Sequence, residues 1–350
     1  MITDSNIDPG ANIDIGKIGF PYILSGKHTD GTLPQLFWVS AGGADSAGAT
    51  GVSHVGTRKE PFLTIAGTGG ALRYTVDGRG DRIILGPNTW RENLDFGSGT
   101  GTTGVAGRMN KRDIGIYGSG GAHPGRTQIV GDGTTTGPTV RVRDGYLRGF
   151  TLSDLEIGSV TTADVDRALP LLDLESVSGA VLTATISDTW AVLRNVRLSS
   201  DTTATAGLVL TGATMVRGYD LHIAGVIRGI VLRASSLNNP DTDEFFNTRF
   251  NDNVTADIIT TVGEGQGAWT FTAGTLSAMG NVNFFGNKYL DRGGTPVTNY
   301  VNAAVTTITN CGDYDFFSAR DVADGTLMLL PVDWIAIGRS AVAAEFIIGA

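Results

Sequence analysis

The sequence predicts an all-β chain wound as a right-handed parallel β-helix, with an N-terminal arm and cap at one end and an apolar cap or interface segment at the other. Three observations point there. Glycine is unusually frequent, charge is sparse, and short β-branched runs recur together with a repeated hexapeptide.

The 50 glycines among 350 residues are about twice the usual share. With only 11 prolines and no Gly-X-Y period, they mark frequent turns, not collagen or low complexity. A hydrophobic fraction of 41% against a charged fraction of 17% supplies a large core and leaves Thr, Ser, Asn and Gly to cover the surface.

A net charge of -9 argues against nucleic acid and anionic membranes as partners, since neutralising phosphates takes clustered Lys and Arg. The single cysteine, Cys311, makes no internal disulfide, which fits folding in a reducing cytoplasm. The opening residues MITDSNIDPGANID lack the basic and apolar stretches of a secretory signal. The apolar tail 325–350 is interrupted by Asp333, Arg339 and Glu345, too soon for a membrane span.

Four zones follow along the chain. Residues 1–36 form a polar arm whose apolar anchors are Ile7, Ile13, Ile15, Ile18 and Phe20. An arm without a core of its own becomes ordered by lying on a neighbour, so these five residues are the candidate contacts to a partner. Residues 37–112 open and cap the helix, 113–310 form its coils, and 311–350 form a C-terminal cap or oligomerisation segment, because so apolar a run needs cover.

The second zone carries Pro61, Phe62, Thr64 and Ile65, then Gly80, Asp81, Ile83, Pro87, Glu92 and Asn93. This order resembles the opening of pectate-lyase-like proteins found in phage spikes and other virion surface proteins. It departs from their pattern at Asn88 and Trp90, and Gly67, Gly69 and Gly70 predict a short or distorted capping helix. The stretch Asn6 to Ile18 is similar to a segment near the start of phage fibre proteins.

In the third zone, strands are expected at Ile114 to Tyr117, Thr139 to Val142, Val181 to Ile186, Ala206 to Leu210 and Ile227 to Leu232. The hexapeptide apolar-Arg-(Gly/Asn)-apolar-x-Leu starts at residues 147, 193 and 216, which are 46 and 23 apart. A fourth copy at 227 would lie on another face. A common period of 23 favours a three-faced coil over a sandwich, whose strands need none. Phe150, Leu152, Val196 and Leu198 would then point inward, and Arg148, Arg194 and Arg217 would form an outward ladder.

Chemistry is harder to find. Gly99-Thr-Gly-Thr-Thr-Gly104 copies a dinucleotide fingerprint in letters only, since no strand and helix flank it. His28, His54, His123 and His222 have no metal-ligand spacing, and Cys311 has no recognisable catalytic partner. No catalytic residue, cofactor or metal is expected.

Asp241, Asp243 and Glu244, with Asp252 and Asp257 further on, form the best carboxylate cluster for cleaving polysaccharide. The plainer expectation is a solvated loop after Asn238-Asn239-Pro240. Trp190, Tyr219 and Trp269 are candidates to stack on sugar rings if they face outward.

What the resemblance implies is a non-enzymatic structural protein on the virion surface of a tailed bacteriophage, made in the host cytoplasm. It would be a capsid decoration protein, homotrimeric, held by the major capsid protein or another virion protein and projecting its β-helix. The alternative is a short trimeric tailspike that binds or depolymerises host surface polysaccharide.

Overall fold

In the computed structural model, three columns of short parallel strands wind about one axis. The structure describes residues 24–25, 33–45, 56–97, 111–120, 126–133, 137–158, 168–176, 190–201, 203–212, 214–234, 241–261, 279–290, 298–301, 308–309 and 312–313. Among these, hydrogen bonds join the strands into one 16-stranded and one 7-stranded sheet. The fold is a right-handed parallel β-helix, as the recurring short strands and turn residues predict.

The first face stacks Gln35–Val39, Arg82–Leu85, Gly115–Tyr117, the front of Thr151–Gly158, the front of Ala191–Ser199, Val216–Tyr219, Asp241–Phe246 and Met279–Phe285. The second stacks Asn88–Arg91, Thr127–Val130, the rear of the two long strands, His222–Ala224, Arg249–Asn251 and Lys288–Leu290. The third runs from Leu94–Phe96 through Val140–Arg143, Leu172–Glu175, Leu208–Thr211, Arg228–Arg233 and Ala256–Thr261 to Thr298–Val301.

Alternation within each strand builds the core. Leu152, Leu193, Phe245 and Phe284 stack inside the first face, Ile157, Leu198, Ile223 and Phe250 inside the second, and Leu172, Leu208, Ile230 and Ile258 inside the third. All are fully or almost fully buried, the arrangement in which apolar burial stabilises most per residue. As expected, Phe150, Leu152, Val196 and Leu198 point inward.

The corner between first and second faces is built from one repeated backbone state. Asp154, Asn195, Asp220, Asn247 and Gly286 follow residues that are in register, and their φ values are 57°, 49°, 54°, 56° and 67°. Asp, Asn and Gly are the residues that accept this left-handed state most readily. The Asn195 side-chain amide donates to Asp154 at 2.8 Å, and that of Asn247 to Asp220 at 2.5 Å.

This corner corrects the repeat. The hexapeptides at 147, 193 and 216 are not in register: Leu193 lies beside Leu152 on one side and Gly218 on the other. The stacked unit is apolar-x-(Asp/Asn/Gly)-x-x-apolar, seen in Leu152-Ser-Asp-Leu-Glu-Ile157 and Leu193-Arg-Asn-Val-Arg-Leu198. Coil length therefore varies, because stacked partners at 152, 193, 218, 245 and 284 rise by unequal steps.

Nor do the three arginines form a ladder. Arg194 sits beside Tyr219 and Arg217 beside Val192, while Arg148 follows a short 3-10 turn, Asp144–Leu147, outside the strands. The copy at 227 does fall on another face, the third.

Residues of the opening motif hold the cap together. The two oxygens of Glu92 accept the backbone amides of Ile65 at 2.8 Å and Ala66 at 2.6 Å. Buried Asp81 accepts the amides of Gln35 at 2.8 Å and Val76 at 2.7 Å, and pairs with Arg79 at 2.6 Å. Asn93 accepts the amide of Asp132 at 2.7 Å. The capping helix is short, Ala71–Tyr74, and the Tyr74 ring stacks on Phe62 at 5.0 Å. The expected strand at 181–186 lies outside the described residues, as does 311–350 apart from residues 312–313.

Candidate functional site

The proposed partner contacts Ile7, Ile13, Ile15, Ile18 and Phe20 lie outside the described residues, as do Gly99 to Gly104, His28, His54, His123, Trp269 and Cys311. Among the described residues, no group of three or more His, Cys, Asp and Glu is placed to hold a metal.

The carboxylates of the expected cluster are separated. Residues 241–246 form a strand, not a loop, so neighbours alternate between core and surface. Asp243 points inward and is fully buried, accepting the Thr214 hydroxyl at 2.7 Å and the Val216 amide at 2.9 Å. Burial pushes its carboxyl up to about 7. Glu244 points outward to Arg217 at 3.0 Å. Asp257 is buried and accepts from Asn253 at 2.7 Å, and Asp252 occupies a left-handed turn. Asp241 is partly exposed and near enough to raise Asp243 further, while Asp243 and Glu244 face opposite sides of the strand.

A second carboxylate group was not singled out in the sequence. On the outer side of the third face, Arg141 lies beside Asp173, and Arg143 beside Glu175. The alternations Val-Arg-Val-Arg (140–143) and Leu-Asp-Leu-Glu (172–175) are the signal, since stacking them in register pairs opposite charges. Arg141 contacts Asp173 at 3.3 Å and is hydrogen-bonded to Glu175, and Arg143 reaches Asp95 at 2.7 Å.

Asp173 and Glu175 are both 0% exposed. Burial, followed by the nearby Glu175, pushes the Asp173 carboxyl up to about 8. Further along the same side, Val209, Val231 and Ile259 are buried with Ala206 and Ala256 as a second apolar cluster. Along these strands the outer side of the third face is thus buried, and its carboxylates do not face solvent.

The first face differs. Here Tyr219, Phe246 and Phe285 occupy successive rungs of one outward column. Tyr219 and Phe246 stack at 5.2 Å and 10°, and Phe246 and Phe285 at 4.8 Å and 10°. All three are partly exposed. The Arg194 guanidinium covers Tyr219 at 5.5 Å from the other side.

Gly218 makes room for the core beneath this row. A Cβ there would stand 2.4 Å from Phe245, whose ring fills the core against Phe284 at 5.0 Å. The adjacent outward column supplies Arg217, Glu244 and Asn283, and Arg217 lies over Trp190 at 4.0 Å. Of the two described aromatic candidates, Tyr219 belongs to the row and Trp190 supports its polar border.

Because the rings stack on one another, their edges line the surface. Ring edges carry the positive side of the aromatic quadrupole. The result is an apolar strip along the helix axis, bordered on one side by Arg217, Glu244 and Asn283 and on the other by the Asp220 and Asn247 corner. The faces between these rings are taken up by one another and by Arg194, so the strip presents ring edges with hydrogen-bonding groups on both borders.

The class the strand pairings define is a parallel β-helix. No family model and no curated protein matches the chain. Among solved structures it is similar to pectin methylesterase PemA from Erwinia chrysanthemi, with 15% identity, a TM-score of 0.27, and coverage of 83% of this chain and 84% of that one. The expectation that the chain is no enzyme is corrected here, since the neighbour is itself an enzyme. A likeness this distant assigns no reaction to this chain.

Proposed function

We propose that this chain is a virion surface protein of a tailed bacteriophage whose projecting β-helix holds host surface polysaccharide along its first face. The observation that carries the reading is the outward row Arg194, Tyr219, Phe246 and Phe285, with hydrogen-bonding groups on both borders. Rungs repeat at about 4.8 Å, on the scale of one pyranose unit.

The particle assignment is supported by the resemblance of the N-terminal arm and the opening motif. Of the two roles considered, capsid decoration and tailspike, the aromatic row favours the polysaccharide-contacting one. Trimerisation and attachment to another virion protein through Ile7, Ile13, Ile15, Ile18 and Phe20 are part of the same proposal.

Immuno-gold imaging of virions tests it. A few copies at the tail, where host contact is made, are expected, and particles free of label would contradict it. Hundreds of copies over the head would restore the decoration role in its place.

A further inference from the structure

At the entry to the first face, two successive coils hold a backbone state that their side chains accept poorly. Met215 has a φ of 53° and Thr242 a φ of 64°, in the left-handed region that β-branched and bulky residues seldom occupy. Every other described residue with a positive φ is Asp, Asn or Gly. The two positions correspond: Arg217 pairs in register with Glu244, and Met215 and Thr242 each stand two residues before those partners.

Asp243 joins them. Its Oδ1 accepts the Thr214 hydroxyl at 2.7 Å and the Val216 amide at 2.9 Å, one on each side of Met215, while its own backbone follows Thr242. The Met215 carbonyl in turn accepts the Ala191 amide at 3.1 Å, so three successive rungs meet at this clasp. Strain at Met215 and Thr242 favours opening, and the two hydrogen bonds to one oxygen oppose it.

That carboxyl is held without a cation. Among the described residues its Oδ2 has no hydrogen-bond partner. On the strand packed against one side, Arg217 points outward to Glu244. On the other side Val282 lies beside it, and on its own strand Asp241 adds negative charge. The neutral form therefore suits the closed corner, and burial pushes the carboxyl up to about 7. An ionised carboxylate sealed here is relieved by reaching water, which the strain on both sides makes easier.

We infer that Asp243, Met215 and Thr242 form a proton-gated latch at the corner leading into the first face. With Asp243 neutral the corner is closed; loss of its proton to solvent opens it and frees the strand Val216–Tyr219. That strand carries Arg217, seated over Trp190, and Tyr219 of the aromatic row, so the order of both falls with the proton. The latch goes beyond the polysaccharide reading and does not depend on it.

Amide hydrogen exchange of the full chain at pH 5.5, 7 and 8.5, corrected for the pH dependence of the chemical exchange rate, tests the latch. Protection over 214–219 is expected to fall at least tenfold from pH 5.5 to 8.5, while 151–158 keeps its protection. Asp243→Asn, which leaves an acceptor but no proton to lose, is expected to remove that fall. Thr242→Gly, which takes the left-handed φ without strain, is expected to raise protection over 214–219 at pH 8.5 at least threefold above the wild type. Protection independent of pH in the wild type, an equal fall in Asp243→Asn, or a fall of the same size over 151–158 overturns the inference. Exchange in Thr242→Gly at pH 8.5 as fast as in the wild type, or faster, also overturns it, and this arm decides even where Asp243→Asn does not fold.

Discussion

Asp243 and Glu244 are consecutive in the chain and stand on opposite sides of the same strand, one sealed against Thr214 at 2.7 Å and the other paired with Arg217 at 3.0 Å. The carboxylate pair that sequence spacing brings together is therefore divided by the pleat. Its two members do separate work, one in the core and one on the border of the aromatic row.

A pH dependence of stability follows. The Asp243 carboxyl is raised to about 7 in the folded protein from about 3.9 in an unfolded chain. Its contribution is fully present below the unfolded value and is lost as pH rises through about 7. Asp173, raised to about 8, acts in the same direction. Urea unfolding between pH 4 and 8 should show this loss, with a shallower slope in Asp243→Asn; an unchanged slope would refute the assignment.

At the corner, Asn247→Ala should cost about 1–2 kcal/mol, because alanine accepts a left-handed φ poorly and the bond to Asp220 disappears. Asn247→Gly keeps the backbone state and should cost less. Chemical denaturation of the two variants decides whether φ or the hydrogen bond dominates.

Gly218→Ala should destabilise by about 1–3 kcal/mol through overpacking against Phe245. Thermal unfolding measures it. A neutral outcome would show that Phe245 and the ring row outside it shift readily.

Glu92→Ala removes the acceptor of two backbone amides, Ile65 and Ala66, and unsatisfied buried donors cost about 1–3 kcal/mol each. Burial holds this carboxyl above its usual value. Hydrogen exchange at residues 65–72 should rise in the variant and stay unchanged at 205–232, since the loss is local to the cap.

Much of the architecture was legible because alternation and turn residues are local signals. Phe150, Leu152, Val196 and Leu198 declared their inward side, and Glu92 and Asp81 marked the cap. The coil period was not legible. Arg148-Gly149 and Arg217-Gly218 look equivalent as letters, yet only the second lies in a strand, and the corner position two residues on, Asp220, is what stacks. Coils of unequal length hide such a repeat, since the corners stay in register while the loops between them do not. The aromatic row is half visible: the sequence marks Tyr219, but Phe246 and Phe285 come together only through pairing across coils. The buried Arg141, Asp173 and Glu175 group needed the same register.

Polysaccharide binding along the first face is measured most directly by a glycan array probed with the full chain and with a Tyr219→Ala/Phe246→Ala variant of unchanged thermal stability. The wild-type chain is expected to bind a defined set of surface polysaccharides, and the variant to lose that binding at least tenfold. Equal binding by the two, or none by the wild type, would contradict it.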